Sequence, residues 1–580
     1  MNRLPNRLLL AALLVVVFFT LVIWYKDIDL VNNLNPSRLA PSLDFSQSVS
    51  SPQSSLSCST VKPHLKGEKP LSEIRAIPQK RQRVAVASTF GFHYDVYLAL
   101  AWTMKRVMSR LPNQALHDLG GNGTVAVYAP ADFHFGFGKI VDALGLYTGE
   151  VKDPDTLFDE VDEIKDGHKI DLIVLGTCEI DLRGGDDPNS WNQRLLRAWD
   201  SRKEDEKFML VCIVHNVRDE GWQGYITEWA RRGAIRFLPI SQHVANSFKT
   251  AFLTRADNTQ DSNIRLAGYE YLKLDTHVPI LNISASNELW LRPSKSKDAL
   301  SSDQTFDADD IENIESPSTD DDRLGIDSSW SADTYHNAIP GKKLSRAVIQ
   351  GTFSTDRREY ETIFKELTES LAEDASVWGY LPLKPGDQKY IVDPSESNPF
   401  NLYLLGSGGI DIPKELEDVV RVARDLSYSE FYRLMQTMDI CVPAFNPENG
   451  YYRFQASSTM VMALQCNVPI LATHRVRASY AYADDDRVMV TRPAVMSEVA
   501  ALRALRMGNM TFFWNNYIHG STFGTVNEQE SRSLHATRAH DDLEKMMRAG
   551  WKRGDVGFEE FRNEVWLENE RVVEKLLRDL

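Results

Sequence analysis

Short apolar runs and longer amphipathic ones take turns along most of this chain. VAVAS, TVAVYA, IDLIVLG, FMLVCIV and IRFLPIS are continuous apolar stretches of strand length. Between them, DVYLALAWTMKRVM and GYITEWARRG place apolar residues three and four apart, the spacing of one helix face. Strands that are apolar throughout, alternating with helices, predict a parallel sheet covered on both faces. The same rhythm returns further on. RAVIQGTF, NLYLLGSGG, MDICVPAF, VPILAT and RVMVTRP read as strands, and REYETIFKELTESL, SYSEFYRLMQTM and SSTMVMALQC as helices. The pattern predicts an α/β protein of two Rossmann-like domains, at residues 81–293 and 343–510. Residues 511–580 follow as helices, the last carrying Phe561, Val565, Trp566, Val572, Val573 and Leu576 on one side.

Three stretches break the rhythm. Residues 8–25 are apolar apart from Thr20, long enough to span a hydrocarbon core of ~30 Å as a helix. Trp24 and Tyr25 stand where an interfacial aromatic belt lies, and Arg3 and Arg7 precede the run. A cleaved signal peptide needs a shorter apolar core and a small-x-small site, which VIWYKDID lacks. The expectation is a cytosolic tail at 1–7 and an uncleaved transmembrane signal anchor at 8–25. That makes a single-pass type II protein of the Golgi or endoplasmic reticulum membrane with a lumenal body. Residues 26–80, rich in Ser, Pro and Asn, read as a disordered stem. Residues 294–342 read as an acidic disordered linker, with Arg323 the single base between Asp298 and Asp333. Sequons at Asn122, Asn282 and Asn509 agree with a lumenal body.

The net charge of −16 argues against nucleic acid as a partner. The five cysteines form no CxxC, and the spacing predicts neither a zinc site nor a disulfide scaffold. Cys178, Cys212 and Cys441 lie inside apolar runs and read as buried thiols.

In open α/β sheets, ligands sit beyond the carboxyl ends of the strands, so candidate chemistry is sought there. In the second domain, Gly351 ends a strand and is followed by a turn bearing Arg357 and Arg358. Glycine admits a ligand to the backbone, and arginine holds phosphate oxygens bidentately. Gly406 ends the next strand. Ser457, Ser458 and Thr459 open a helix, whose free amides attract phosphate when they are not simply capped by serine. In the first domain His93, Glu179 and His215 each follow a strand and could serve as general base. The aromatic-glycine loop around His134 could meet an acceptor.

Taken in order, GTFSTDRREY, LYLLGSG, SYSEFYRLMQTMDICVPAF and MALQCNVPILAT resemble the nucleotide-sugar half of GT-B glycosyltransferases of the Glu-x7-Glu type, over most of 345–495. Residues 84–290 are similar to the first half of that fold, with STFGFHYDVYLALAWTM in place of its glycine loop and helix. The resemblance implies two domains facing a cleft and sugar transfer from a nucleotide-sugar donor to a hydroxyl of a glycan, lipid or protein acceptor. It implies no metal and no resident cofactor. Gly351, Arg357, Arg358, Gly406, Ser457, Ser458 and Thr459 would hold the donor. The chain departs from the pattern at the two glutamates, which fall on Phe454 and Met462; neither accepts a hydrogen bond from ribose or sugar. Glu448, in NPENGYY, is near enough in sequence to replace one of them. Two other readings stand beside this one. The first is a non-catalytic relative kept as a binding or scaffolding protein. The second is another two-Rossmann sugar enzyme, such as an epimerase.

Overall fold

The computed structural model describes residues 82–110, 123–283, 342–510, 513, 541–551 and 557–580, except 131–132, 166–167, 185–186, 219–222 and 259–271. The expected anchor at 8–25, the stem, Asn122 and nearly all of the acidic linker lie outside them. Among the described residues, no helix is long and apolar enough to cross a membrane.

Two parallel sheets form the body. The first holds β1 (Arg83–Ala87), β2 (Thr124–Tyr128), β3 (Val151–Lys152), β4 (Leu172–Leu175), β5 (Met209–Val214), β6 (Ile235–Pro239) and β7 (Lys273–Leu274). The second holds β8 (Arg346–Gln350), β9 (Asn401–Gly406), β10 (Val420–Arg424), β11 (Ile440–Cys441), β12 (Ile470–Ala472) and β13 (Met489–Thr491). Their orders are β3-β2-β1-β4-β5-β6-β7 and β10-β9-β8-β11-β12-β13. Both begin with the same doubly wound 3-2-1-4-5-6 sequence, so both are Rossmann-like. Each therefore has a switch point where the winding reverses, between β1 and β4 and between β8 and β11, and a crevice opens there beyond the strand ends.

Three strands were not expected from the sequence: β3, β7 and β10. All three are sheet edges. An edge strand is paired on one side only and is short or half wet, so it carries no continuous apolar run. In β10, Arg421 and Arg424 alternate with buried Val420 and Ala423.

Side chains alternate between faces within each sheet. Ala85, Ile173 and Cys212 enter one cluster with Trp199 and Trp229 on the far side of the first sheet. Ala347, Ile349 and Leu404 enter another behind the second. The remaining faces share one cluster: Val86, Val174 and Val211 from the first sheet, Val348, Leu405 and Ile470 from the second. Helices α1 (Tyr94–Arg110), α2 (Gln242–Asn258), α3 (Tyr360–Trp378), α4 (Tyr428–Gln436) and α5 (Ser458–Gln465) cover the sheets. Helix α4 starts with a capping box, Ser427 and Glu430 each satisfying the other's backbone amide.

The last helix, α6 (Gly557–Arg578), returns across the body. Phe561, Trp566, Val572, Val573 and Leu576 are buried on its inner side, with Val565 partly so. Trp566 meets Trp102 of α1 edge to face at 5.6 Å and donates its indole N–H to the Ile280 carbonyl. Buried Glu570 pairs with Arg106 at 2.8 Å and with Arg110. From the other end, Glu564 pairs with Arg487 near the second sheet at 2.8 Å. One helix thus touches both halves.

Two of the cysteines read as thiols are instead bonded to each other: Cys178 and Cys212 form a disulfide. Leu175, at the end of β4, lies beside Cys212 of β5, so the turn after β4 carries Cys178 onto its neighbour. Cys441 and Cys466 are buried.

Candidate functional site

At the β1/β4 switch point the strand ends converge on a compact polar cluster. The chain after β1 turns back at His93, which has a left-handed φ of 62°. His93 and His215 stack with ring centroids 4.2 Å apart and planes 14° from parallel. His215 Nε2 lies 3.0 Å from the Gly176 carbonyl. A carbonyl only accepts, so Nε2 carries the proton and Nδ1 the lone pair. His93 Nδ1 lies 3.3 Å from the Thr177 hydroxyl, and its Nε2 makes no hydrogen bond among the described residues. Burial, and then the neighbouring His215, hold His93 well below the usual histidine range. Burial also lowers His215. Two stacked neutral imidazoles, each with one N–H and one lone pair, are the result.

Carboxylates hold this cluster in place. Glu179 Oε1 accepts the backbone amides of both His215 and Asn216. Asp181 accepts from the Ser88 and Thr89 hydroxyls, the Thr89 amide at 2.7 Å and the Thr177 amide at 2.8 Å. The short helix Cys178–Asp181 therefore ties the ends of β1, β4 and β5 together, with the disulfide fastening its first residue to β5. Burial pushes Asp181 up to about 7, the four donors pulling against it. Asp95, in the first turn of α1, is pushed up to about 6 by burial, with His215 acting to lower it. The sequence reading passed over both aspartates. The signal was there: Asp95 follows His93 by two residues, and Asp181 follows Thr177 by one helical turn.

At the β8/β11 switch point the contents differ. Arg358 is only 2% exposed. Its Nη1 donates to the Pro443 carbonyl and its Nη2 to the Thr459 hydroxyl at 2.9 Å, while Nε has no partner. Among the described residues no carboxylate pairs with it. Gly351 makes room for it: a Cβ there would stand 2.4 Å from Arg358 Nη2. A buried guanidinium with no counter-charge is costly unless an anion completes it. Nearby, the Gln350 Oε1 and Tyr360 hydroxyl are also buried without partners.

The two switch points are joined. Residues 215–217 and 454–456 pair as a short antiparallel bridge: the Val217 amide donates to the Phe454 carbonyl at 2.9 Å and the Ala456 amide to the His215 carbonyl at 3.1 Å. Behind the bridge, His243 of α2 places Nδ1 2.7 Å from the Ser479 carbonyl and Nε2 3.0 Å from that of Gln455. The chain that leaves His215 thus touches the segment that leads, three residues on, to Thr459 beside Arg358.

Several residues singled out in the sequence have other employment. Ser457 is the N-cap of α5, its hydroxyl accepting the Thr459 amide and donating to the Thr459 hydroxyl. Thr459, fully buried, passes its own proton to the Gln350 carbonyl. Of the three hydroxyl residues only Ser458 is exposed. Gly406 is needed for backbone contact, since a Cβ there would fall 1.9 Å from the Gly351 carbonyl oxygen. Arg357 is exposed, with Nη1 3.4 Å from the Tyr451 hydroxyl. Glu448 is exposed on a turn, 3.7 Å from Arg453. Met462 is a core residue of α5, and the ring of Phe454 lies under the Arg218 guanidinium at 4.1 Å. Asn509 is exposed and Asn282 half-buried. Among the described residues no group of three or more metal-ligating side chains is assembled.

No protein-family model matches the chain, and no curated protein does. Among solved structures, it is similar to the glycosyltransferase SnogD from Streptomyces nogalater at 13% identity, over 84% of this chain and 100% of that one, with a TM-score of 0.28. An alpha-glucosyltransferase in complex with UDP-glucose and DNA containing an abasic site is similar at 9% identity, over 83% and 99%, with a TM-score of 0.38. Methanocaldococcus jannaschii UDP-GlcNAc 2-epimerase in complex with UDP-GlcNAc and UDP is similar at 8% identity, over 79% and 99%, with a TM-score of 0.26. Scores this low do not bear on what the chain binds or does.

Proposed function

We propose that the chain is a GT-B glycosyltransferase that moves a sugar from a nucleotide-sugar donor to an acceptor hydroxyl. The observation that carries this reading is Arg358: a buried guanidinium, unpaired by any described carboxylate, at the switch point of the second sheet. A nucleoside diphosphate supplies the missing charge. Ser458, exposed at the start of α5, and the free amides there add donors. As the sugar leaves, Arg358 stabilises the negative charge that develops on the diphosphate. No step in this reading calls on a metal.

Across the bridge, His93 is the general base. With its Nδ1–H given to Thr177, Nε2 holds a lone pair for the acceptor proton. The low pKa keeps that lone pair free at neutral pH. Glu179 and Asp181 position the loop rather than touch substrate. Ribose and sugar are held by groups other than Phe454 and Met462.

The body is proposed to be lumenal, behind the anchor at 8–25. The Cys178–Cys212 bond fits an oxidising compartment, and exposed Asn509 is open to glycosylation. The test is a thermal-shift screen of the full-length protein in detergent with UDP, GDP, dTDP and CMP, followed by nucleotide release from the matching sugar nucleotides. A shift with one nucleoside diphosphate and release of it from its sugar are expected. No shift with any of the four removes the reading. A shift without release favours a retired enzyme kept for binding, the reading that Phe454 and Met462 support.

A further inference from the structure

Beside His93 the first sheet carries a continuous row of rings. His215 and His93 stack at 4.2 Å; His93 meets Phe90 edge-on at 5.1 Å; Phe90 lies 5.3 Å from Phe92; Phe92 stacks on His134 at 5.2 Å. The row runs from the buried imidazole of His215 to the exposed one of His134. Phe135, the next residue, is 41% exposed and held at φ 54°. A bulky side chain rarely adopts that backbone unless its surroundings impose it.

The surroundings do impose it. The Tyr94 hydroxyl accepts the His134 amide at 2.9 Å and donates to the Gly91 carbonyl, so one side chain fastens the 88–93 loop to the 133–137 loop. The Tyr94 ring packs on Phe133 and Phe137 at 4.8 and 5.6 Å. A Cβ at Gly91 would come 3.1 Å from His134 Nε2, so the loops are seated closely against each other. Packing accounts for Phe133 and Phe137. It does not account for Phe135, or for the ring surface that Phe90 and Phe92 leave partly open.

We propose that this row is the acceptor subsite of the transfer reaction, and that it takes a saccharide, stacked on the rings by the apolar face of its pyranose. The proposal rests on the reading of His93 as base. A pyranose has a face of C–H bonds and an edge of hydroxyls, so stacking turns the edge toward Nε2. The rings suit this neutral partner. Elsewhere cations lie over aromatic faces, Arg194 over Phe158 and Arg218 over Phe454, but among the described residues none lies over this row. A phosphorylated headgroup would find no arginine or lysine over these rings among the described residues.

The test uses full-length protein in detergent and saturation-transfer difference NMR with lactose, mannobiose and chitobiose, with octanol and inositol phosphate as competing classes. At least one disaccharide is expected to receive saturation at ring C–H positions. Phe135→Ala and Phe92→Ala should each weaken its binding about tenfold or more, and Phe135→Trp should keep it. The nucleotide thermal shift should be unchanged in all three variants, which also reports that they fold. The proposal is overturned if no disaccharide receives saturation, if both alanine variants bind as the parent does, or if octanol or inositol phosphate alone binds. Absence of any nucleotide shift overturns the transfer reading separately, and the saccharide spectra still decide the row of rings.

Discussion

At the β1/β4 crossover the strand ends converge on two neutral imidazoles and two aspartates that burial pushes towards neutral pH. At the β8/β11 crossover, with the same local strand order, they converge on one guanidinium and several orphaned polar atoms. The first cluster is tied together from within: Glu179 Oε1 and Asp181 each accept from the loops of neighbouring strands. In the second, among the described residues, no carboxylate pairs with the buried guanidinium. A switch point therefore supplies a crevice and no chemistry of its own. The loops decide whether it exchanges protons or binds an anion.

The sharpest way to break this comparison is to remove the cation. Arg358→Met should abolish the nucleotide thermal shift and lower kcat/KM by about a thousandfold, the scale of losing a principal stabiliser of leaving-group charge. Arg358→Lys, which keeps the charge but not the fork, should recover part of the shift. A methionine variant that binds nucleotide as tightly as the parent would show that the two crossovers do not divide the labour.

Removing the base comes next. His93→Gln should lower kcat by about a hundred- to a thousandfold, with the nucleotide shift intact. Equal loss of nucleotide binding would mean that the first cluster is not independent of the second.

The disulfide tests how far the first cluster depends on its fastening. Cys178→Ser with Cys212→Ser should cost about 3–4 kcal/mol of stability, as expected for a closed loop of 34 residues. Non-reducing peptide mapping shows the bond directly, and an unlinked pair in the parent would remove this prediction.

Asp95 sets a smaller, pH-dependent effect. Its folded pKa of about 6 lies above that of an ordinary carboxyl. The folded state therefore binds this proton more tightly, and the stability it contributes is complete below about pH 4 and lost as pH rises through about 6. The whole change is about 3 kcal/mol. Asp95→Asn should flatten that part of the melting-temperature profile, and an unchanged slope would count against it. Asp181 acts in the same direction. The smallest effect is expected at Glu448: alanine there should leave kcat, KM and melting temperature unchanged, because the side chain is exposed and its ion pair with Arg453, at 3.7 Å, is exposed too.

Much of the layout was legible in the chain. Every inner strand was marked by its apolar run, since a strand buried on both faces must be apolar throughout. The strands that escaped notice, β3, β7 and β10, are edges with one wet side. Site residues were legible as candidates but not as roles. His93, Glu179 and His215 do come together, yet Glu179 spends its Oε1 on two amides. Ser457 and Thr459 look like phosphate ligands in sequence and are capping and cross-linking groups in space.

What the sequence determined by itself was periodic: two runs of alternating strand and helix, their order, and which residues stand just past strand ends. Hydrophobic spacing is local, so it can be read locally. What the tertiary structure decided was partnership: Cys178 with Cys212, His93 on His215, Asp181 across two loops, and Arg358 with no carboxylate beside it among the described residues. Whether a polar atom is already satisfied depends on residues far away in the chain, 92 positions for Asp181 and Thr89 and 236 for His243 and Ser479, brought near only by tertiary packing.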